Sequence, residues 1–316
     1  MDITKVIATE LGIRTSQVEA VIKLIDEGNT IPFIARYRKE AHGGLNDEVL
    51  RNLDERLTYL RNLEERKEAV LKSIEEQEKL TPELQKQIEE AMTLVAVEDL
   101  YRPYKQKRRT RATIAKEKGL EGLANIIWLQ MTKQPIEEEA KAYLNEEKGV
   151  ASVEDAIQGA KDILAETVSD QAQYRTWIRN ITWKEGILTS TAKDPEVESV
   201  YEMYYDFQEG VAKMAGYRIL AVNRGEKEKI LTVKLQAPEE KILNYLEKQV
   251  IVKDNPVTTP ILKDICEDSY HRLIADSIER DIRNEMTEHA EDGAIEVFGQ
   301  NLNQLLMQPP IAGQVV

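Results

Sequence analysis

NDEVLRNLDERLTYLRNLEERK, residues 46–67, carries leucine at positions 50, 53, 57, 60 and 63. Gaps of three and four put all five side chains on one stripe of an α-helix, which turns once in 3.6 residues. The other face holds Arg51, Asp54, Glu55, Arg56, Arg61, Glu64 and Glu65, charges of both signs that favour water. Asn46 is a good N-cap, and Asp47 and Glu48 meet the positive end of the helix dipole. The stretch predicts a long amphipathic helix with its leucines in a core. Heptad regularity fades after Lys67, so packing within the chain is favoured over a coiled-coil dimer, and homodimerisation is permitted without being required.

The same period recurs on both sides. Ile3, Val6, Ile7 and Leu11 predict one helix; Val18, Val21, Ile22 and Ile25 predict a second, with Ser16 and Glu19 as a capping box, Gly12 in the turn and Gly28 at the end. The pair has the outline of a helix-turn-helix, but Arg14 and Lys23 are its only cations near the second helix, so a structural hairpin is favoured over a DNA reader. Thr81-Pro82 starts a helix with Leu84, Ile88, Ala91 and Val95 inward. Shorter helical pieces fill 121–180, one of them capped by Ser152. RILAV from Arg218, the turn-like NRGEKEK, and then Leu231, Val233 and Leu235 alternating with polar residues predict a β-hairpin near 217–236. Ile274, Ile278, Ile282 and Met286, followed by Ile295, Phe298, Leu302 and Leu305, return to helical spacing before Pro309-Pro310. The fold class expected is mainly α.

Composition narrows the function. The 316 residues suffice for about two domains of ordinary size. With 41% hydrophobic and 32% charged residues, the chain is expected to fold rather than to be disordered. No apolar run reaches the roughly 20 residues that cross a bilayer, and MDITKVIATELG lacks the pattern of a signal peptide, so a cytoplasmic location without membrane contact is expected. The single cysteine, Cys266, has no disulfide partner in the chain, and Glu267 and Asp268 beside it are expected to raise its pKa. Phosphate-loop, dinucleotide and nucleophile-elbow patterns are all missing. His42, His271 and His289 have no metal-ligand spacing, and Glu98-Asp99 diverge on a helix instead of forming a carboxylate pair. Trp128, Trp177 and Trp183 read as core or domain contacts, and His42-Gly43-Gly44 as a turn whose glycines adopt positive φ. No enzyme, metal or cofactor is expected.

One segment stands apart. YRPYKQKRRTRATIAKEK, residues 101–118, sets eight cations against Glu117, a net of 8 − 1 = +7 in a chain of net charge −14. Such an acidic chain does not coat nucleic acid over its whole surface, so any contact must be local. Lys105, Lys107, Arg108, Arg109, Arg111, Lys116 and Lys118, in a loop entering a helix near Thr113, suit phosphate oxygens. The competing readings are pairing with neighbouring acidic helices and docking on an acidic protein partner.

Five blocks together resemble one family: TIPFIARYRKEAHGGLNDEVLRNL (30–53), LEERKEAVLKSIEEQEKLTPEL (63–84), EDLYRPYKQKRRTRATIAKEKGLEGLA (98–124), RILAVNRGEKEKIL (218–231) and SIERDIRNEMTEHAEDGAIEVFGQNLNQLLMQPP (277–310). They are similar to the N-terminal helical half of the Tex family of bacterial transcription accessory proteins. The place of Ala41-His42 departs from the family pattern, which has small or hydroxylated residues there. The resemblance implies a truncated chain without the RNase H-like, helix-hairpin-helix and S1 domains, the last of which carries most RNA binding. It further implies a discontinuous scaffold, 1–105 with 191–316, around an inserted helix-turn-helix-like module at 106–190. The function implied is a non-enzymatic scaffold with a secondary RNA or DNA contact. The alternative is a protein-interaction module docking on RNA polymerase or ribosome-associated proteins with no nucleic-acid binding of its own.

Overall fold

The computed structural model describes residues 1–106 and 108–308. The chain divides into two compact units, Met1–Gln106 and Lys107–Val316.

The first unit is entirely helical: α1 (Ile3–Leu11), α2 (Thr15–Asp26), α3 (Ile31–Tyr37), α4 (Lys39–His42), α5 (Asp47–Glu75), α6 (Pro82–Glu90) and α7 (Leu94–Tyr101). The predicted long helix is α5. Asn46 Oδ1 accepts from the Val49 amide at 2.8 Å, and Leu50, Leu53, Leu57, Leu60 and Leu63 are buried. Each such leucine contributes roughly 1.5–3 kcal/mol by leaving water. The stripe runs on through Lys67, Val70 and Ile74. Lys67 interrupts the apolar pattern yet is buried, because its Nζ donates to Glu89 O at 2.8 Å and pairs with Glu64 at 2.8 Å. α1, α2, α3, α6 and α7 all pack on α5.

Two local details differ from the sequence reading. The N-cap of α2 is Arg14, whose amide is held by Gln17 Oε1 at 3.2 Å, in place of the Ser16–Glu19 box. The helix begun at Thr81 ends at Glu90, and Thr93 caps α7 by accepting from the Ala96 amide. Val95 therefore sits on a new helix and is exposed, whereas Leu84, Ile88 and Ala91 are buried.

The second unit runs α8 (Arg111–Glu117), α9 (Glu121–Leu129), α10 (Ile136–Lys141), α11 (Val153–Ser169), α12 (Ala172–Glu185), β1 (Ile187–Ala192), β2 (Asp206–Gly210), α13 (Gly216–Lys227), β3 (Leu231–Gln236), α14 (Glu239–Val250), α15 (Thr259–Asp268), a π-helical turn (Ser269–Ile274) and α16 (Ala275–Leu306). Ser152 caps α11 as expected, its Oγ accepting from the Asp155 amide at 3.1 Å. α11 lies at the centre, against α8, α9, α10, α15 and the π-helical turn. One continuous core joins Ala112 to Ala290. Ile278, Ile282 and Met286 belong to that core, while Ile295, Phe298, Leu302 and Leu305 on the same helix are exposed.

The hairpin expected near 217–236 is half right. Its second arm is β3, with Leu231 and Val233 buried and Lys234 exposed. Its first arm is not a strand: 216–227 form α13, with Ile219 and Val222 inward one turn apart. A four-residue apolar run, 219–222, satisfies either period, and here packing against α16 and β3 decides for the helix. β3 pairs instead with β1, which also pairs with β2, giving an antiparallel sheet of order β2-β1-β3. β1, ILTSTA, not expected from the sequence, sets β-branched Ile187, Thr189 and Thr191 at alternate positions.

Candidate nucleic-acid interface

The basic run straddles the two units. In the first, Lys105 lies in the turn after α7, where its amide donates to Tyr101 O at 3.0 Å and Gln77 holds Tyr104 O at 2.9 Å. Its ammonium is 3.6 Å from Glu98, which also takes Arg66 at 2.6 Å. Glu98 is thus an ion-pairing residue, and Asp99 is buried on another side of α7. Lys107 lies outside the described residues.

In the second unit Arg108, Arg109, Arg111 and Lys116 are exposed. Thr110 Oγ1 accepts from the Thr113 amide at 3.0 Å and caps α8. Ala112 and Ala115 turn inward against α11. Their small size lets the helices approach closely: a Cβ at Gly159 of α11 would lie 3.3 Å from Ala115 Cβ. That burial fixes the cationic residues outward.

Most of these cations already have weak partners. Arg109 meets Glu117 at 3.0 Å, Lys116 meets Glu121 at 3.9 Å, and Lys118 Nζ donates to Gly149 O at 2.8 Å. Arg108 pairs with no acid among the described residues. Arg111 lies near Asp162 and Asp268. Burial pushes the Asp162 carboxyl up, offset in part by Arg272 and Arg111, whereas the Arg272 hydrogen bond holds Asp268 down. Arg109 keeps 70% of its side chain exposed, and ion pairs in such settings are worth about 0–1 kcal/mol. A phosphate can replace them at little cost.

The remaining candidates have structural explanations. His42 is buried: its Nδ1 accepts from the Leu45 amide at 3.0 Å, which leaves the proton on Nε2 to donate to Ile34 O at 3.3 Å. Gly43 and Gly44 have positive φ, as expected of the turn. Among the described residues no group of three or more His, Cys, Asp or Glu is placed to hold a metal ion. No described helix is long and apolar enough to cross a membrane. The Cys266 thiol is pushed up to about 12 by burial first and by Glu247 second; its sequence neighbours are not the cause. In the folded protein at pH 8, Cys266 should therefore resist iodoacetamide for hours and react once urea unfolds the second unit. Rapid native labelling would contradict its burial.

Residues 1–75 match the Tex-like protein N-terminal domain, and residues 130–298 match the Tex central region. The chain belongs to the Tex family. It is 48% identical over 313 residues to the uncharacterised protein YdcI of Bacillus subtilis, covering 98% of this chain and 44% of that one. It is 43% identical over 317 residues to the transcriptional accessory protein Tex of Neisseria gonorrhoeae, covering 98% and 42%. Human S1 RNA-binding domain-containing protein 1 is 28% identical over 334 residues, covering the whole chain and 33% of that protein. The chain thus spans less than half the length of these relatives. The match to the N-terminal domain stops before the basic run, and the match to the central region starts after it.

Proposed function

We propose that this chain is the non-enzymatic helical part of a transcription accessory protein and that it contacts RNA or DNA phosphates through its basic run. Arg108, Arg109, Arg111, Lys116 and Lys118 form the contact on the second unit, with Lys105 and Lys107 preceding them. The observation that carries this reading is that α8 buries its alanines and leaves Arg111 and Lys116 exposed, while Arg109 and Lys116 are held by exchangeable surface pairs. The helix-turn-helix-like module that we read at 106–190 comprises α8 to α12. The names of the Neisseria and human relatives support a transcription-related, RNA-related role.

Fluorescence anisotropy with labelled single-stranded RNA, single-stranded DNA and duplex DNA across a salt series tests the proposal. Binding should weaken steeply with salt, and combined Arg108→Ala, Arg109→Ala, Arg111→Ala should make the log–log slope shallower by about two to three units. No binding at low salt, or an unchanged slope, would remove the run from the interface. The second reading, an acidic protein partner in the transcription or translation machinery, is favoured by the carboxylate that the run already meets at Glu117. It is supported if the triple variant loses RNA polymerase or ribosome-associated protein while wild-type chain ignores all three nucleic acids.

A further inference from the structure

Apart from the basic run, α12 and α14 together line an open groove of about 500 Å³ on the second unit. Trp177 and Ile181 are four residues apart on α12, and Lys241, Asn244, Tyr245 and Lys248 follow one face of α14. The Trp177 and Tyr245 rings are stacked, with centroids 3.8 Å apart and planes 7° from parallel. Both are only half-buried. Lys241 and Lys248 are exposed; Lys241 pairs with Glu185 at 2.6 Å, and Lys248 with no acid among the described residues. Two helical turns separate the lysines, about 10 Å along the axis.

We propose that this groove is a stacking platform for an unpaired base of single-stranded nucleic acid. Because the two rings cover one face of each other, a base would extend the stack on an outer face, and cations at both ends of the groove would meet the phosphates on either side. The Asn244 amide, exposed at the rim, offers one acceptor and two donors to a base edge. Lys248, and Lys241 once it exchanges Glu185 for a phosphate, suit a polyanion, and the apolar floor is right for a base and wrong for a bare phosphate. Duplex DNA does not fit, because its bases are already stacked inside. The inference rests on reading the chain as a nucleic-acid binder, but it uses none of the residues of the basic run.

The test uses the full chain and two labelled oligonucleotides of equal length, one of uridines and one in which alternate bases are replaced by abasic sites. The uridine strand should bind at least about fivefold more tightly. Trp177→Ala should abolish that difference, whereas the triple arginine variant should keep it while showing a shallower salt slope. Equal affinity of wild-type chain for the two strands overturns the platform and leaves the phosphate contact standing. A retained base preference with an unchanged salt slope in the triple variant does the reverse. Failure of wild-type chain to bind either strand overturns both. Because Trp177→Ala can disturb packing, photocrosslinking of a bromouridine strand to wild-type chain provides an independent readout. Adducts are expected in peptides from 172–185 or 239–250, and adducts confined to 108–118 overturn the platform.

Discussion

Arg175→Ala should cost the second unit about 3–5 kcal/mol, the loss typical of breaking a buried charged contact and leaving a cavity. Arg175 is 1% exposed and heads the fully buried large side chains. Its guanidinium leaves α12 and donates from Nη2 to Ser277 Oγ at 2.7 Å, and that hydroxyl in turn donates to Ile274 O at 2.8 Å. The relay therefore ends on the last residue of the π-helical turn, where the regular helical ladder is interrupted. Arg175→Met keeps most of the aliphatic volume and removes the charge, so its loss should be smaller, near 1–2 kcal/mol. Urea unfolding followed by tryptophan fluorescence reads this unit directly, since Trp128, Trp177 and Trp183 all lie in it. A loss below 1 kcal/mol for the alanine variant would contradict a buried guanidinium here.

Gly225→Ala should also destabilise, against the direction that helix propensity gives. Alanine inside a helix is favoured over glycine by about 1 kcal/mol. At Gly225, however, a Cβ would stand 2.6 Å from Leu231 Cδ1, 2.9 Å from its Cγ and 3.2 Å from the Tyr201 ring. Leu231 is fully buried in β3 and its strand is tied to β1, so it has little room to retreat. Overpacking costs of about 1–3 kcal/mol offset or exceed the propensity gain, and the net loss should reach up to about 2 kcal/mol, larger for Gly225→Val. Gly293→Ala, in α16 with nothing within 4 Å, isolates the propensity effect and should be neutral or stabilising by up to about 1 kcal/mol. Equal shifts at the two sites would show that β3 does not crowd α13.

The sequence by itself determined the helical class. Leucine spacing in α5 and the caps at Asn46, Thr81 and Ser152 rest on neighbours within one or two turns, so local chemistry suffices to read them. The basic run was equally plain, because charge is a property of composition. Its surroundings were not: the partners of Arg109, Lys116 and Lys118, and the inward turn of Ala112 and Ala115, depend on helices brought close by folding. Only tertiary structure chose between strand and helix for 216–227, where a short apolar run fits both periods and Gly225 looks like a turn until β3 is set against it. Only tertiary structure set Trp177 on Tyr245 between two lysines, since α12 and α14 are separated in sequence by the strands and α13. Periodicity encodes which face of an element is buried, whereas the identity of its neighbour follows from where distant segments meet.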